Sequence, residues 1–389
     1  MNYILFDNED WESLLPFTFL RPMSHIRIGI FTIQEKWDIF LGVETSPLTP
    51  EYLQKAYPVH TTDDNICIAG NIIPNETLVT AITQLQMNEA LISKENQLIA
   101  ARTSSIEQLS QWETLQKIPF EGTYFQLTEK FEIFLHNGEE IINDLKRVSP
   151  TPISENVRNN NLIFGDPSQL YIDPTAKIFG ATLNCTEGPI YIGKNVTVME
   201  GSHLRGPLAI LDDAIVKMGA KIYGETTIGP LCKVGGEVEN AVMFGYSNKA
   251  HDGYLGNSVI GHWCNIGAGT ITSNLKNNYS SIRQWNYKTR RFDHTRQQFC
   301  GLMMGDHSKC GINVAINSGT VMGICTSVYG AEFQRFYVAN FMTGSPIGGY
   351  RKNNFNKIIT SEKAMMARRN MELNETFIEI MRTLYEKND

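Results

Sequence analysis

The chain lacks a CxxC pair, although seven cysteines are present among its 389 residues. They stand apart at Cys67, Cys185, Cys232, Cys264, Cys300, Cys310 and Cys325. An odd, scattered set excludes a disulfide framework and a zinc ribbon, and fits reduced thiols in a cytoplasmic protein. No apolar run approaches the roughly 18 residues that cross a bilayer. The opening MNYILFDNEDWE has no basic segment ahead of an apolar one, so no signal peptide is expected. An excess of positive charge is missing too. The formal charge of −7 argues against a nucleic-acid or anionic-membrane surface. What is present is a 42% apolar composition, enough for sizeable cores, in a chain long enough for two domains.

From Ile192 the sequence repeats every six residues. Ile192, Val198, Leu204, Ile210, Val216, Ile222, Ile228 and Val234 follow in unbroken steps of six. The register returns at Ile260, Ile266 and Thr272, and again at Met304, Cys310, Ile316, Met322 and Val328. Ile172 and Ile178 form an earlier turn that slips phase at NCTEGP. A period of six matches neither a helix nor a sustained strand alternation. It fits a solenoid of triangular coils, each with three short strands, one inward aliphatic side chain per hexad and small residues near the corners.

Two interruptions break the ladder. The 26 residues from Val234 to Ile260 read as two residues too many, with FGYSNKAHDGYLG the expected place of the slip. Residues 273–303 carry no hexads and are expected to loop out. There Lys276, Arg283, Lys288, Arg290, Arg291 and Arg296 lie among Tyr279, Trp285, Tyr287 and Phe292. That mixture points to a local phosphate or nucleotide contact, with a subunit contact, a solvated loop or single-stranded nucleic acid as alternatives.

The hexads resemble those of the hexapeptide-repeat acyltransferases, which implies a left-handed parallel β-helix. KAHDGYLGNSVIGHWCNIGAGTITSN more specifically resembles the acetyltransferase half of the bifunctional N-acetylglucosamine-1-phosphate uridylyltransferase/glucosamine-1-phosphate acetyltransferase family. Tyr254–Gly256 supply its Tyr-Leu-Gly, and Asn265–Thr272 its NIGAGTIT. The resemblance implies His251 as catalytic base, Tyr254 and Asn265 at the sugar, Ala268 near the acyl donor and Asn274 near the amino sugar. It also implies acetyl-CoA as co-substrate, a homotrimer, and a place in UDP-N-acetylglucosamine biosynthesis for cell-envelope precursors. Histidine suits the chemistry, since its ordinary pKa lies near neutrality. A thioester already has a good leaving group, so no metal is expected on the β-helix. The family's sugar-phosphate lysine and arginine fall on Ala241 and Tyr223. Lys217, Lys221, Lys249 or the basic insertion are the candidate replacements, or the acceptor differs.

The first 150 residues are similar to a shortened sugar nucleotidyltransferase. LLPFTFLRPMSHIRIGIFTI carries Arg21, Pro22 and Arg27 where that family has a substrate-facing stretch, and ICIAGNIIP places Asn71 at its metal-binding aspartate. FDNEDWES replaces the Gly-rich phosphate loop; Asp7, Glu9, Asp10 and Glu12 would repel a triphosphate there. Mg2+ is expected only if nucleotidyl transfer is retained.

The expected architecture is therefore an α/β nucleotidyltransferase-like domain at 1–150, a linker at 151–160, and a β-helix at 161–345. The insertion at 273–303 interrupts that β-helix, and a C-terminal tail and helix follow at 346–389. The expected function is acyl transfer from acyl-CoA to an amino sugar phosphate or nucleotide-linked sugar. The alternatives are a sugar-1-phosphate nucleotidyltransferase on a β-helical scaffold, or a catalytically silent sugar-nucleotide binder. Neither nucleic acid nor membrane is an expected partner.

Overall fold

A computed structural model describes residues 1–149 and 153–387. In the N-terminal domain Asn2–Phe6 pairs in parallel with Ser46–Leu48 on one side and Asn65–Ala69 on the other. Leu98–Thr103, Glu89–Ile92 and Gln116–Pro119 complete a mixed six-stranded sheet. Asn65–Ala69 is buried at every residue, as in a strand covered on both faces. Helix Ile33–Leu41 starts from a capping box of Thr32 and Glu35 and stops at Gly42, whose φ of 70° glycine adopts without a Cβ penalty.

From Leu162 the chain winds into a left-handed parallel β-helix with three faces. The first face stacks Ile190–Ile192, Leu208–Ile210 and Thr226–Ile228. The second stacks Thr197–Val198, Ile215–Val216, Lys233–Val234 and Asn248–Lys249. The third stacks Thr182–Asn184, His203–Arg205, Lys221–Ile222 and the start of Glu237–Gly245. The aliphatic ladder from Ile192 to Val328 points inward as one buried cluster.

The first break in the ladder differs from expectation. Pairing puts Val238, Met243, Lys249, Leu255 and Ile260 successively in the inward column, so five hexads span the 26 residues after Val234. Four residues are missing; none is added. Strands Glu237–Gly245 and Tyr254–His262 run nine residues each through the corner between the third and first faces. They turn at Asn240 (φ 44°) and Asn257 (φ 46°), in the left-handed region that asparagine tolerates. The hexads from Met243 through Lys249 to Leu255 are in step, so His251 does not lie where register is lost.

The N-terminal domain lies on the outer side of the first face. Phe17 and Phe134 share one cluster with Val242, Phe244, Val259, Met303 and Val321, and with Ile282 and Cys300 of the insertion. The insertion folds back as a hairpin, Arg283–Asn286 against Arg291–His294. The expected linker is partly ordered: residues 151 and 152 lie outside the described set, but Glu155–Asn160 is a helical turn capped by Ser154. The expected C-terminal helix is two, Phe355–Ala367 and Glu375–Glu386. Neither proline nor glycine separates them; Asn370 at φ 56° and the Asn374 cap do. They pack on Leu15, Phe19 and Leu20 of the N-terminal domain together with Trp263 and Ile324 of the β-helix. No described helix is long and apolar enough to cross a membrane.

Candidate functional site

Lys249 fills an inward position that its neighbours in the stack, Val216 and Val234, give to valine. It is 2% exposed, and its ammonium donates to the carbonyls of Gly235 (3.0 Å) and His251 (2.8 Å). Burial pushes its pKa down to about 8. Lys249 therefore ties down a corner from inside the prism, and its ammonium does not line the cleft described below. The corner itself leaves His251 and Asp252 exposed. Gly253, at φ 127°, passes so close to the next coil that a Cβ would lie 2.0 Å from the Thr270 carbonyl. The N–H of Gly269 donates to the Asp252 carbonyl at 3.0 Å, so the corner after Ala268 stacks directly on the corner of His251. Among the described residues His251 takes part in a hydrogen bond only through its carbonyl.

Beyond that corner, Tyr254 opens the third-face strand and borders a cleft of about 720 Å³. Its hydroxyl donates to Glu239 Oε2 at 2.7 Å and accepts from Asn274 Nδ2 at 2.9 Å. Asn274 also donates to Asn257 Oδ1 at 2.7 Å. Burial, then the Glu239 carboxylate, raises the phenol pKa, so the Tyr254 hydroxyl stays a donor. Burial also raises the Glu225 pKa on the same wall. The Asn240 Oδ1 there is buried and makes no hydrogen bond. Leu135 of the N-terminal domain and Gln297, Gln298 and Phe299 of the insertion close the far side.

The structure thus brings Tyr254 and Asn274 together and stacks the His251 and Ala268 corners. Asn265 is apart from the cleft, half-buried on the second face beside Asn248. Ala241 is buried in the prism and Tyr223 lines the cleft. Glu239, Glu225, Asn240, Asn257 and Arg205 escaped the sequence reading. For Arg205 and Glu239 the signal is position: each follows an inward residue, Leu204 or Val238, and so points outward from the third face.

The insertion contributes amides to the cleft, while Trp285 and Tyr287 pack into clusters that the two domains share. Trp285 stacks on Tyr337 with centroids 4.3 Å apart, and Tyr287 meets Phe19 edge-on at 5.4 Å. His262 and His307, which their hexad positions would leave at exposed corners, are covered by the N-terminal domain and C-terminal helices. His262 lies between the rings of Phe244 and Tyr246, and His307 Nδ1 meets Glu362 Oε2 at 2.7 Å.

The N-terminal residues are placed otherwise than the resemblance implied. Arg21 is 3% exposed and pairs with Asp306 of the β-helix at 2.5 Å, its guanidinium 5.0 Å over the Phe244 ring. Arg27 donates to the Ile30 carbonyl and lies 3.5 Å from Glu35, while its buried Nε has no partner. Neither guanidinium faces a nucleotide cleft, because the stretch that carries them is the seam between domains. Asn71 donates to Asp10 (3.0 Å) and to the Leu127 carbonyl (2.8 Å), and accepts from Asn8 (3.1 Å). Asp7, half-buried, accepts from the Thr49 hydroxyl and the Met23 N–H, and desolvation raises its pKa to about 7.

Comparison with known proteins agrees with the resemblance. Residues 3–151 match the family model described as "Sugar nucleotidyl transferase". The bifunctional protein GlmU of Methanocaldococcus jannaschii is 32% identical over 118 residues, 30% of this chain and 26% of that protein. The bifunctional sugar-1-phosphate nucleotidylyltransferase/acetyltransferase of Sulfurisphaera tokodaii is 34% identical over 93 residues, 24% of this chain and 23% of that protein. These matches span about a quarter of the relatives' length. Among solved structures, the UDP-N-acetylglucosamine acyltransferase of Francisella novicida aligns with a TM-score of 0.28 at 15% identity, covering 58% of this chain and 78% of that one. The N-acyltransferase AntD of Bacillus cereus aligns at 0.24 and 13%, covering 57% and 100%.

Proposed function

We propose that the protein is a transferase of sugar-nucleotide metabolism that moves an acyl group, such as acetyl, from acyl-CoA to an amino sugar on the β-helix. One observation carries this reading. An exposed corner imidazole, His251, stands three residues before the hydrogen-bonded Tyr254–Asn274 pair at the mouth of a large polar cleft. In the reaction the acceptor amine attacks the thioester carbonyl, a C–N bond forms and the C–S bond breaks. His251 removes the proton from the attacking nitrogen and returns it to the departing thiolate. Tyr254 and Asn274 orient the acceptor, and Lys249 holds the corner that carries His251. Asn265 and Ala268, on the adjoining face and the stacked corner, are assigned to acceptor and acyl-CoA contacts outside the cleft. Backbone N–H groups at the stacked corners are suited to a developing oxyanion.

Assembly as a homotrimer belongs to the same proposal. Ile271, Ile312 and Phe333 are 51%, 70% and 63% exposed near the upper end of the third face, an apolar strip suited to a second copy. A cytoplasmic setting accords with seven free, buried cysteines. The second reading, nucleotidyl transfer with Mg2+ in the N-terminal domain, has the family match over residues 3–151 in its favour. Against it stand Arg21 in the seam and Asn71 bonded within the domain.

The test follows thiol release from acetyl-CoA with a panel of amino sugars, their phosphates and their nucleotide-linked forms. His251→Ala is expected to lower turnover by about 10²–10⁴ without unfolding the protein. Full turnover in that variant excludes His251 as the base. Pyrophosphate release from nucleoside triphosphate, Mg2+ and sugar 1-phosphates checks the second reading, and turnover in neither assay favours a silent binder.

A further inference from the structure

The outer surface of the third face changes its charge along the helix axis. Reading up the stack, its outward positions are His203 and Arg205, then Lys221 and Tyr223, then Glu237 and Glu239, then Tyr254 and Gly256. The cleft beside Tyr254 carries Glu187, Glu225 and Glu239 against a single cation, Arg205. Beside its lower rungs lies a second cleft of about 310 Å³, lined by His203, Arg205 and Lys221. Arg205 and Tyr223 border both clefts, so the two adjoin. The cations of the second cleft are loosely held. Arg205 is 3.5 Å from Glu187, Lys221 is 3.8 Å from Glu237, and both pairs are open to solvent. Pairs of that kind contribute little and give way to a stronger anion.

We propose that the acceptor is a nucleoside-diphosphate-linked amino sugar, with the sugar beside Tyr254 and the diphosphate across Lys221, Arg205 and His203. This rests on the acyl-transfer reading for the role of Tyr254, but the binding it predicts does not. The argument is one of distance and charge. Rungs of a parallel sheet lie about 4.8 Å apart. Lys221 is therefore about 10 Å, and Arg205 and His203 about 14 Å, below the rung of Tyr254. A sugar 1-phosphate holds its phosphate one ring away from its amine, which here would place a dianion beside Glu237 and Glu239, one rung below Tyr254. A diphosphate linkage carries the negative charge past them to the cations. The acidic upper cleft then faces the part of the acceptor that bears an ammonium or hydroxyls. The adjoining clefts also explain why Ala241 and Tyr223 need no charge: the phosphate contacts have moved down the stack.

The test is calorimetric titration of the whole protein, in low salt and without acyl donor, with UDP, dTDP and GDP. Glucosamine 1-phosphate and desulfo-coenzyme A are titrated in parallel. At least one nucleoside diphosphate is expected to bind, more tightly than the sugar phosphate. Arg205→Ala with Lys221→Ala should weaken it at least tenfold, whereas Arg290→Ala with Arg291→Ala in the hairpin should not. The proposal is overturned by failure of all three nucleotides to bind, by equal or tighter binding of glucosamine 1-phosphate, or by loss of binding in the hairpin variant alone. It is equally overturned if desulfo-coenzyme A is the ligand that the Arg205/Lys221 variant loses. Because no acyl transfer is read, a wrong base assignment for His251 leaves this result intact, and the reverse holds too.

Discussion

At the carboxyl ends of the N-terminal strands, Asn8, Asp10, Asn71 and Gln126 are joined by hydrogen bonds. On the third face of the β-helix, Glu239, Tyr254, Asn257 and Asn274 do the same around an open cleft. The side-chain chemistry is alike, yet the first network lies within the domain while the second borders a cavity that also holds a buried, unpartnered Asn240 oxygen. The difference lies in what covers each region. The stretch following the first strand is pressed into the domain seam by Arg21 and Phe17, and the side chains of Asn8, Asp10 and Asn71 find partners inside the protein. On the third face Leu135 and the insertion border the cleft but leave it open, so its polar groups remain available to a ligand.

If the seam is structural, its variants should change stability and leave chemistry on the β-helix alone. Arg21→Ala strands the Asp306 carboxylate in a buried site and is expected to cost about 3–5 kcal/mol in urea unfolding, with acyl transfer per folded molecule unchanged. A normal unfolding midpoint combined with lost transfer would reverse the assignment of the two regions. Asp7 gives a smaller effect with a distinctive pH dependence. Its pKa rises from near 4 in the unfolded chain to about 7 when folded. The native state therefore keeps a proton that the unfolded chain releases, and stability falls as pH rises through that window. Asp7→Asn should gain about 1–2 kcal/mol over the parent at pH 8 and little at pH 4; a parallel pH dependence in parent and variant would contradict this. Tyr254→Phe should do the opposite of both. It removes one hydroxyl from the cleft, raising KM for the acceptor about fivefold, near 1 kcal/mol, with the unfolding midpoint nearly unmoved. An unchanged KM would remove Tyr254 from the acceptor site.

The hexad ladder was legible because each turn commits one aliphatic residue to the prism, and Ile192 to Val234 repeat that commitment without exception. The break after Val234 is ambiguous in the sequence for a definable reason. A 26-residue gap is two more than four hexads and four fewer than five, and a period alone cannot choose between them. The inward lysine hid the choice, since Lys249 occupies a column position that a hydrophobic pattern skips. Tyr254 and Asn274 were legible as a motif. Glu239, Glu225 and Arg205 were not, because stacking brings them from other coils; once the coil count is known, Arg205 and Glu239 can be found beside inward residues. Arg21 was legible only as a resemblance, and its partner Asp306 is 285 residues away.

A bare solenoid holds each coil only through its neighbours, so it can loosen one coil at a time from an end. In this molecule side chains from outside the prism cut across that order. Asn137 reaches Glu225 and Thr227, Arg369 reaches Leu231 and Asn248, and Arg21 reaches Asp306 several coils further on. The N-terminal domain and the C-terminal helices act together as a splint laid along the axis. A coil beneath the splint cannot melt without releasing coils far from it, which turns a zipper-like repeat into a single cooperative unit.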